Sequence, residues 1–143
     1  MLEAGGPAVT PAAPRAGYRY LLPGPGTYLI AEAGLRLDLE PLPGGAGAVR
    51  LPAGQWEAFF DMDELSFPLL ARNFLAGDRF QPLGVGGSQK LKKYFIDHKV
   101  PRNDRDRCPL LVSGQRIIWI AGHRTSEVAK LTPRTRRVLR AAI

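Results

Sequence analysis

The six residues Leu35 to Glu40 read LRLDLE, with an apolar and a charged side chain alternating at every step. On a pleated strand this puts Leu35, Leu37 and Leu39 on one face and Arg36, Asp38 and Glu40 on the other. The stretch predicts a half-buried strand, and Thr27 to Ala31 its hairpin partner, with the turn near Ala33-Gly34. Residues 41–54, PLPGGAGAVRLPAG, hold too many Gly and Pro for an element interior and read as a loop. WEAFFDM (56–62) and LLARNF (69–74) read as further strands, the second broken at Gly77-Asp78. LLVSGQRIIWIAG (110–122) has two apolar runs around Ser-Gly-Gln, the pattern of a β-hairpin rich in strand-forming isoleucine. In the tail, TPRTRRVLRAAI, alternation at Arg136, Val138 and Arg140 favours a strand over a helix started at Pro133.

The period changes once. In SQKLKKYFIDHK, Leu91, Tyr94, Phe95 and His98 recur at helical spacing and define one apolar stripe. Ser88 is the expected N-cap, Pro101 the expected stop after Lys99, and Lys90, Lys92 and Lys93 fall on the side away from the stripe. Ile96 projects there as well. His98, on the stripe, is expected to be a partly buried core residue. PRNDRDRCP follows as a charged turn or a single helical turn between prolines. The fold class expected is therefore α+β: mainly antiparallel strands with one main helix near residues 88–99. At 143 residues the chain suits one domain. Residues 1–17, rich in Ala, Gly and Pro, read as a linker or tail, and 18–143 as the domain, with a β-rich part (18–68) and a basic α+β part (69–143).

Charge divides the chain unevenly. Residues 1–77 carry five basic and eight acidic side chains, whereas residues 78–143 carry fifteen basic and five acidic. A polyanionic partner for the second part is the natural expectation. No apolar run is long enough to span a bilayer, and the first residues lack the basic start and apolar middle of a secretory signal. The single cysteine, Cys108, has no partner for an internal disulfide, which points to the reducing cytoplasm.

GVGGSQKLKK (84–93) raises the question of bound phosphate. A P-loop would need Gly before Lys90 and Ser or Thr after it, and here Gln89 and Leu91 stand in those places. The spacing of Gly84, Gly86 and Gly87 also fails the dinucleotide fingerprint. The glycine turn, the helix start and three lysines still suggest a place for anions. His98, His123 and Cys108 lack the spacing of a metal site, and no nucleophile paired with a base is visible, so no catalytic residue is assigned. Cys108, before Pro109 and an apolar run, is expected to be a small buried hydrophobe. DMDEL (61–65) reads as acids at a strand exit. Asp104 and Asp106 are expected to be compensated by Arg105 and Arg107. Gly77-Asp78-Arg79 reads as a turn that leaves Arg79 to the basic face. The basic set runs through Arg79, Lys90, Lys92, Lys93, Lys99, Arg102, Arg105 and Arg107, with Arg124 and Lys130 beyond. Its aromatics belong mostly to the helix stripe, so contact with duplex phosphates fits better than base stacking.

With these residues in place, the chain resembles the C-terminal domain of bacterial tRNA(Ile)-lysidine synthetase. The blocks that carry the resemblance are RN-x-x-x-GDRFQPLG, KLKK-x-F-x-D-x-KVPR, RDR-x-PLLV and I-x-W-x-x-G-x-R, in this order across roughly residues 57 to 143. The resemblance implies a layered β/β/α fold, shared with part of the phenylalanyl-tRNA synthetase β subunit. It implies a parent ligase that uses ATP to adenylylate a wobble cytidine and joins lysine to it, in a PP-loop domain whose Ser-Gly-Gly-x-Asp-Ser motif does not occur in these 143 residues. ATP and lysine would then be used outside this segment, which would need no cofactor or metal of its own and would not be active alone. The implied role is to grip the tRNA(Ile) acceptor stem beside the catalytic domain, through Arg79, Lys90, Lys92, Lys93, Lys99, Arg102 and Arg105. The alternative is a module that docks on its own enzyme or forms a homodimer without touching RNA. Ile96 and the isoleucine-rich hairpin would be its contacts.

Overall fold

The computed structural model describes residues 17–49 and 54–143. The tail expected at 1–17 lies outside the described residues except for Gly17, as do residues 50–53 of the predicted loop. Among the described residues, eleven strands and two short α-helices occur in chain order: β1 (Arg19–Leu22), β2 (Gly26–Ile30), β3 (Leu35–Leu42), β4 (Glu57–Asp61), β5 (Leu69–Arg72), β6 (Arg79–Phe80), β7 (Gln89–Lys90), α1 (Leu91–Asp97), α2 (Arg102–Arg105), β8 (Leu110–Ser113), β9 (Arg116–Ile120), β10 (Arg124–Thr125) and β11 (Val138–Ala142). They form a five-stranded sheet, β1-β5-β8-β9-β10, a four-stranded sheet, β2-β3-β11-β4, and the ribbon β6-β7. All pairings are antiparallel. Each sheet takes strands from both ends of the chain, so residues 18–68 and 69–143 share one core.

The alternation at Leu35 to Glu40 is realised as β3. Leu37 and Leu39 are buried, while Arg36 and Glu40 are exposed. β2 pairs with it through a turn at Ala31–Ala33, closed by Gly34 in the left-handed region at φ 67°. β11 enters between β3 and β4 and makes the tail strand central. That position buries Val138, Leu139, Ala141 and Ala142.

The five-stranded sheet is the middle layer. One face packs Leu22, Leu69, Leu111, Ile118 and Trp119 against Ile30, Leu37, Leu39, Phe60 and Leu139 of the four-stranded sheet. The other face packs Leu110, Val112, Ile117 and Ile120 against Leu91, Tyr94 and Phe95 of α1, with Phe80 and Val100. A sheet covered on both sides needs apolar residues at successive positions, which is why IIWI in β9 is wholly buried. The register shifts between Leu111 and Val112: these pair with Trp119 and Ile117, and Ile118 is the extra residue of a bulge. The bulge turns Ile118 and Trp119 together towards the inter-sheet core. The hairpin isoleucines therefore lie inside, whereas Ile96 is 54% exposed.

The helix differs from its sequence expectation at both ends. Gln89 and Lys90 are drawn into a ribbon with Arg79 and Phe80, and the Leu91 amide donates to the Asp78 carbonyl at 2.9 Å. The helix therefore begins at Leu91 with Lys90 at the N-cap position. Ser88 makes no cap; its hydroxyl accepts from Arg79 Nε at 3.1 Å. At the other end the Val100 amide reaches back to the Phe95 carbonyl, and Lys99, at φ 56°, to that of Ile96. These two bonds form a Schellman motif, with Phe95 and Val100 buried beside each other as its apolar contact. The helix thus ends before Lys99, and Pro101 only follows.

Candidate nucleic-acid interface

The basic residues of the ribbon and helix are brought together by short-range structure. Arg79 and Lys90 are direct cross-strand partners in β6-β7, so their side chains stand on the same face of the ribbon. Both are exposed, as are Lys92 and Lys93 in the first turn of α1, Lys99 at the helix stop and Arg102 on α2. Lys90 precedes the helix rather than lying on it, a correction to the expected stripe. Lys93 pairs with Asp97 one turn on, at 2.8 Å and with both side chains largely exposed. Among the described residues, Arg79, Lys90, Lys92, Lys99 and Arg102 meet no carboxylate within ion-pair distance.

Arg105 is employed differently. Its Nε donates to the Val100 carbonyl at 3.1 Å, and its guanidinium lies 5.6 Å from the Phe95 ring centroid. It secures the turn between α1 and α2 and keeps only part of its surface for a ligand. The segment is also fixed from below. The Tyr18 hydroxyl donates to the Asp106 carbonyl at 2.8 Å, and burial raises the pKa of that phenol.

Arg79 follows the turn expected at Gly77-Asp78, which is held by an ion pair that the sequence did not single out. Arg72, at the end of β5, makes two 2.9 Å bonds to the Asp78 carboxylate, and the Leu75 amide donates to the same group at 2.7 Å. The pair is largely enclosed, with 14% and 11% of the side chains exposed, so it is rigid as well as charged.

Part of the GVGGSQKLKK backbone is engaged within the fold. The Gly84 amide donates to the Glu127 carboxylate, that of Val85 to the Pro82 carbonyl, and that of Leu91 to Asp78. Gly84 holds the Glu127 carboxyl below its usual range, and Lys130 adds to the effect. The side chains add positive charge here. That charge is costly where it sits: α1 has no acid in its first turn, and cations there oppose the helix dipole.

Two further expectations are corrected. His98 is exposed, not part of the core; its ring stacks on Tyr94 with centroids 4.0 Å apart, and Nδ1 lies 2.9 Å from the Tyr94 carbonyl. Cys108 is half-buried, and its Sγ lies 3.3 Å from His123 Nε2. The two do not form an activated pair. Burial pushes the thiol up to about 11, with help from Asp104, and burial lowers the His123 pKa, so a neutral thiol faces a neutral imidazole at pH 7. Among the described residues no group of three or more His, Cys, Asp or Glu is placed to hold a metal ion. No helix among them is long and apolar enough to cross a membrane.

A second feature went unread in the sequence: a groove of about 930 Å³ beside β4 and β10, lined by Phe59, Leu83, His123, Arg124 and Lys130 among others. Arg124 and Lys130 thus line this groove. Each has a local partner, the Leu83 carbonyl for Arg124 and Glu127 for Lys130, both at 2.7 Å.

Two sheets layered under a short helix, with exposed cations on the ribbon and helix, define the fold of this domain. A family model described as the TilS substrate C-terminal domain matches residues 69–140. The chain belongs to that family. The fold also matches a crystal structure of a TilS C-terminal domain, with a TM-score of 0.77 and 31% identity, over 88% of this chain and 95% of that one. Among whole-length relatives, the tRNA(Ile)-lysidine synthase of Dehalococcoides mccartyi is 48% identical over 83 residues, 58% of this chain and 18% of that protein. The same-named protein of Symbiobacterium thermophilum is 41% identical over 98 residues, 68% of this chain and 20% of its own length. The chain therefore spans about a fifth of these relatives. The α+β class and the layered arrangement expected from the sequence agree with this fold.

Proposed function

We propose that this domain is the tRNA-recognition part of a tRNA(Ile)-lysidine synthase and holds the acceptor stem of its substrate. The parent protein would be the ligase, using ATP and lysine elsewhere in its length. The observation that carries this reading is the set of exposed, carboxylate-free cations at Arg79, Lys90, Lys92, Lys99 and Arg102 on consecutive, mutually braced elements. A purely structural surface would gain from acids at the start of α1, where two lysines stand instead. Cations without partners are suited to phosphates, which they reach without first breaking an ion pair.

Changing Lys90, Lys92 and Lys99 to alanine together is expected to weaken binding to an isoleucine-tRNA acceptor-stem hairpin. It should also reduce the slope of log K against log salt by roughly 2 to 3, at about 0.9 per duplex phosphate neutralised. Unchanged affinity and slope in a salt series would refute the assignment.

A further inference from the structure

Arg19 belongs to the part of the chain where acids outnumber bases, yet it lies on the same side of the middle sheet as α1. β1 is an edge strand of that sheet, and its side chains alternate between the two faces. Tyr18, Tyr20 and Leu22 pack into the core between the sheets, so Arg19 and Leu21 stand on the opposite face. Cross-strand register agrees. Leu21 is opposite Leu70, which packs against the cluster beneath α1, and Arg19 is opposite Arg72. Arg19 is exposed.

Two arginines directly opposed across a strand pair repel one another. Arg72 is neutralised by Asp78, whose Oδ1 and Oδ2 each lie 2.9 Å from one of its Nη atoms. The Leu75 amide also donates to Oδ2, at 2.7 Å, so this carboxylate is committed to its turn. Arg19 is left with no carboxylate within ion-pair distance among the described residues. Its place is nonetheless fixed. The Tyr18 amide donates to Asn73 Oδ1 and the Tyr18 hydroxyl to the Asp106 carbonyl, both at 2.8 Å. These bonds tie the start of β1 to the loop leading to Asp78 and to the segment after α2. Asp78 precedes Arg79 in the chain, and its carbonyl accepts from the Leu91 amide at the start of α1. The strand partner of Arg19 is thus bonded to the turn that carries Arg79 and abuts the helix.

We infer that Arg19 is a further contact for the phosphate backbone of duplex RNA, extending the cationic surface from the ribbon and helix onto the edge of the middle sheet. This rests on the RNA reading above and adds to it a residue from the first strand of the domain. An exposed guanidinium has five N–H donors, and here a phosphate reaches them without displacing a carboxylate.

The test is a salt series of the full chain with a blunt RNA duplex, read by anisotropy of labelled RNA, beside urea unfolding of each variant. Arg19→Gln should weaken binding and reduce the slope of log K against log salt by about 0.9. Arg19→Glu puts an acid opposite Arg72, so it should match or exceed wild type in stability while weakening binding further. Affinity and stability then move apart, which loss of folding cannot imitate. Arg36→Gln, on the outer face of the four-stranded sheet, should leave affinity and slope unchanged. Charge on an edge strand also keeps sheets from pairing with one another. If Arg19→Gln self-associates in light scattering while affinity and slope stay at wild-type values, the residue guards the edge and the contact is overturned. Equal slopes in wild type and Arg19→Glu overturn it as well. If the Lys90/Lys92/Lys99 variant binds duplex normally while Arg19→Gln loses slope, the ribbon-and-helix reading fails and the Arg19 contact stands. If that variant loses slope and Arg19→Gln does not, only the Arg19 contact fails.

Discussion

The outer face of the four-stranded sheet and the ribbon-and-helix surface are both rich in cations, and they use them in opposite ways. On the sheet, Arg140 lies directly across from Glu40 and diagonally from Glu57, and binds both. Arg36 pairs with Asp38 at 3.3 Å and Arg137 with Asp63 at 2.6 Å. Cross-strand register sets the partners of Arg140, Arg36 meets Asp38 two residues on in β3, and Arg137 meets Asp63 just outside the strands, so the positive charge is spent within the fold. On the ribbon and helix, Arg79, Lys90, Lys92, Lys99 and Arg102 lack such partners among the described residues. Net charge alone would count Arg137 and Arg140 towards a polyanion site, yet pairing removes them from it.

The comparison can be broken most forcefully at the support beneath the cationic surface. Phe95 is fully buried between α1 and the middle sheet. Phe95→Ala should cost about 3 to 5 kcal/mol, measured by urea unfolding, and should abolish RNA binding along with the helix layer. Next comes Arg72→Ala, which strands the enclosed Asp78 carboxylate. A loss of about 3 kcal/mol is expected, with RNA affinity reduced through the displaced Arg79 loop. Stability within 0.5 kcal/mol of wild type would show that this pair supports nothing.

A contrast between the two faces themselves is smaller in energy and sharper in meaning. Arg36→Ala with Arg137→Ala should leave RNA affinity within about twofold, while costing at most about 1 kcal/mol of stability, since exposed pairs contribute little. Equal losses of affinity on the two faces would erase the distinction drawn above.

His123 offers a pH test. Its folded pKa is depressed, so below the ordinary value of 6.5 the unfolded chain binds the proton that the folded one resists. Stability should fall as pH drops through this range, and His123→Gln should flatten the fall in pH-resolved thermal unfolding. The smallest effect is expected at Lys99, whose left-handed backbone favours glycine. Lys99→Gly should stabilise by about 0.5 to 1 kcal/mol while weakening RNA binding slightly. Such a split would mark a residue kept for its charge against the preference of its backbone.

Period and punctuation made most of the elements legible. Leu37 and Leu39 announced β3, the paired apolar runs around Gly114 announced β8 and β9, and Leu91, Tyr94 and Phe95 marked the buried side of α1. The start of the helix was misread, because Gln89 and Lys90 answer to Phe80 and Arg79 on the preceding strand. The His98 stripe position was misread for a related reason: a seven-residue helix ends before the stripe does. The basic residues of the candidate surface were visible as letters, and which of them are paired was not. Trp56, read only as part of a strand, showed nothing of the glycine it covers.

By itself the sequence determined the class of elements and the excess of positive charge in its latter part, since side-chain alternation and ionisation are properties of neighbouring residues. Only the tertiary structure decided which cations are neutralised, that the Gly84 amide is held by Glu127, and that an indole stands open over Gly122. Those outcomes depend on groups far apart in the chain meeting at bonding distance. Local pattern cannot encode that meeting, because the strand order joining β11 to β3 and β4 is settled by the burial of the whole core.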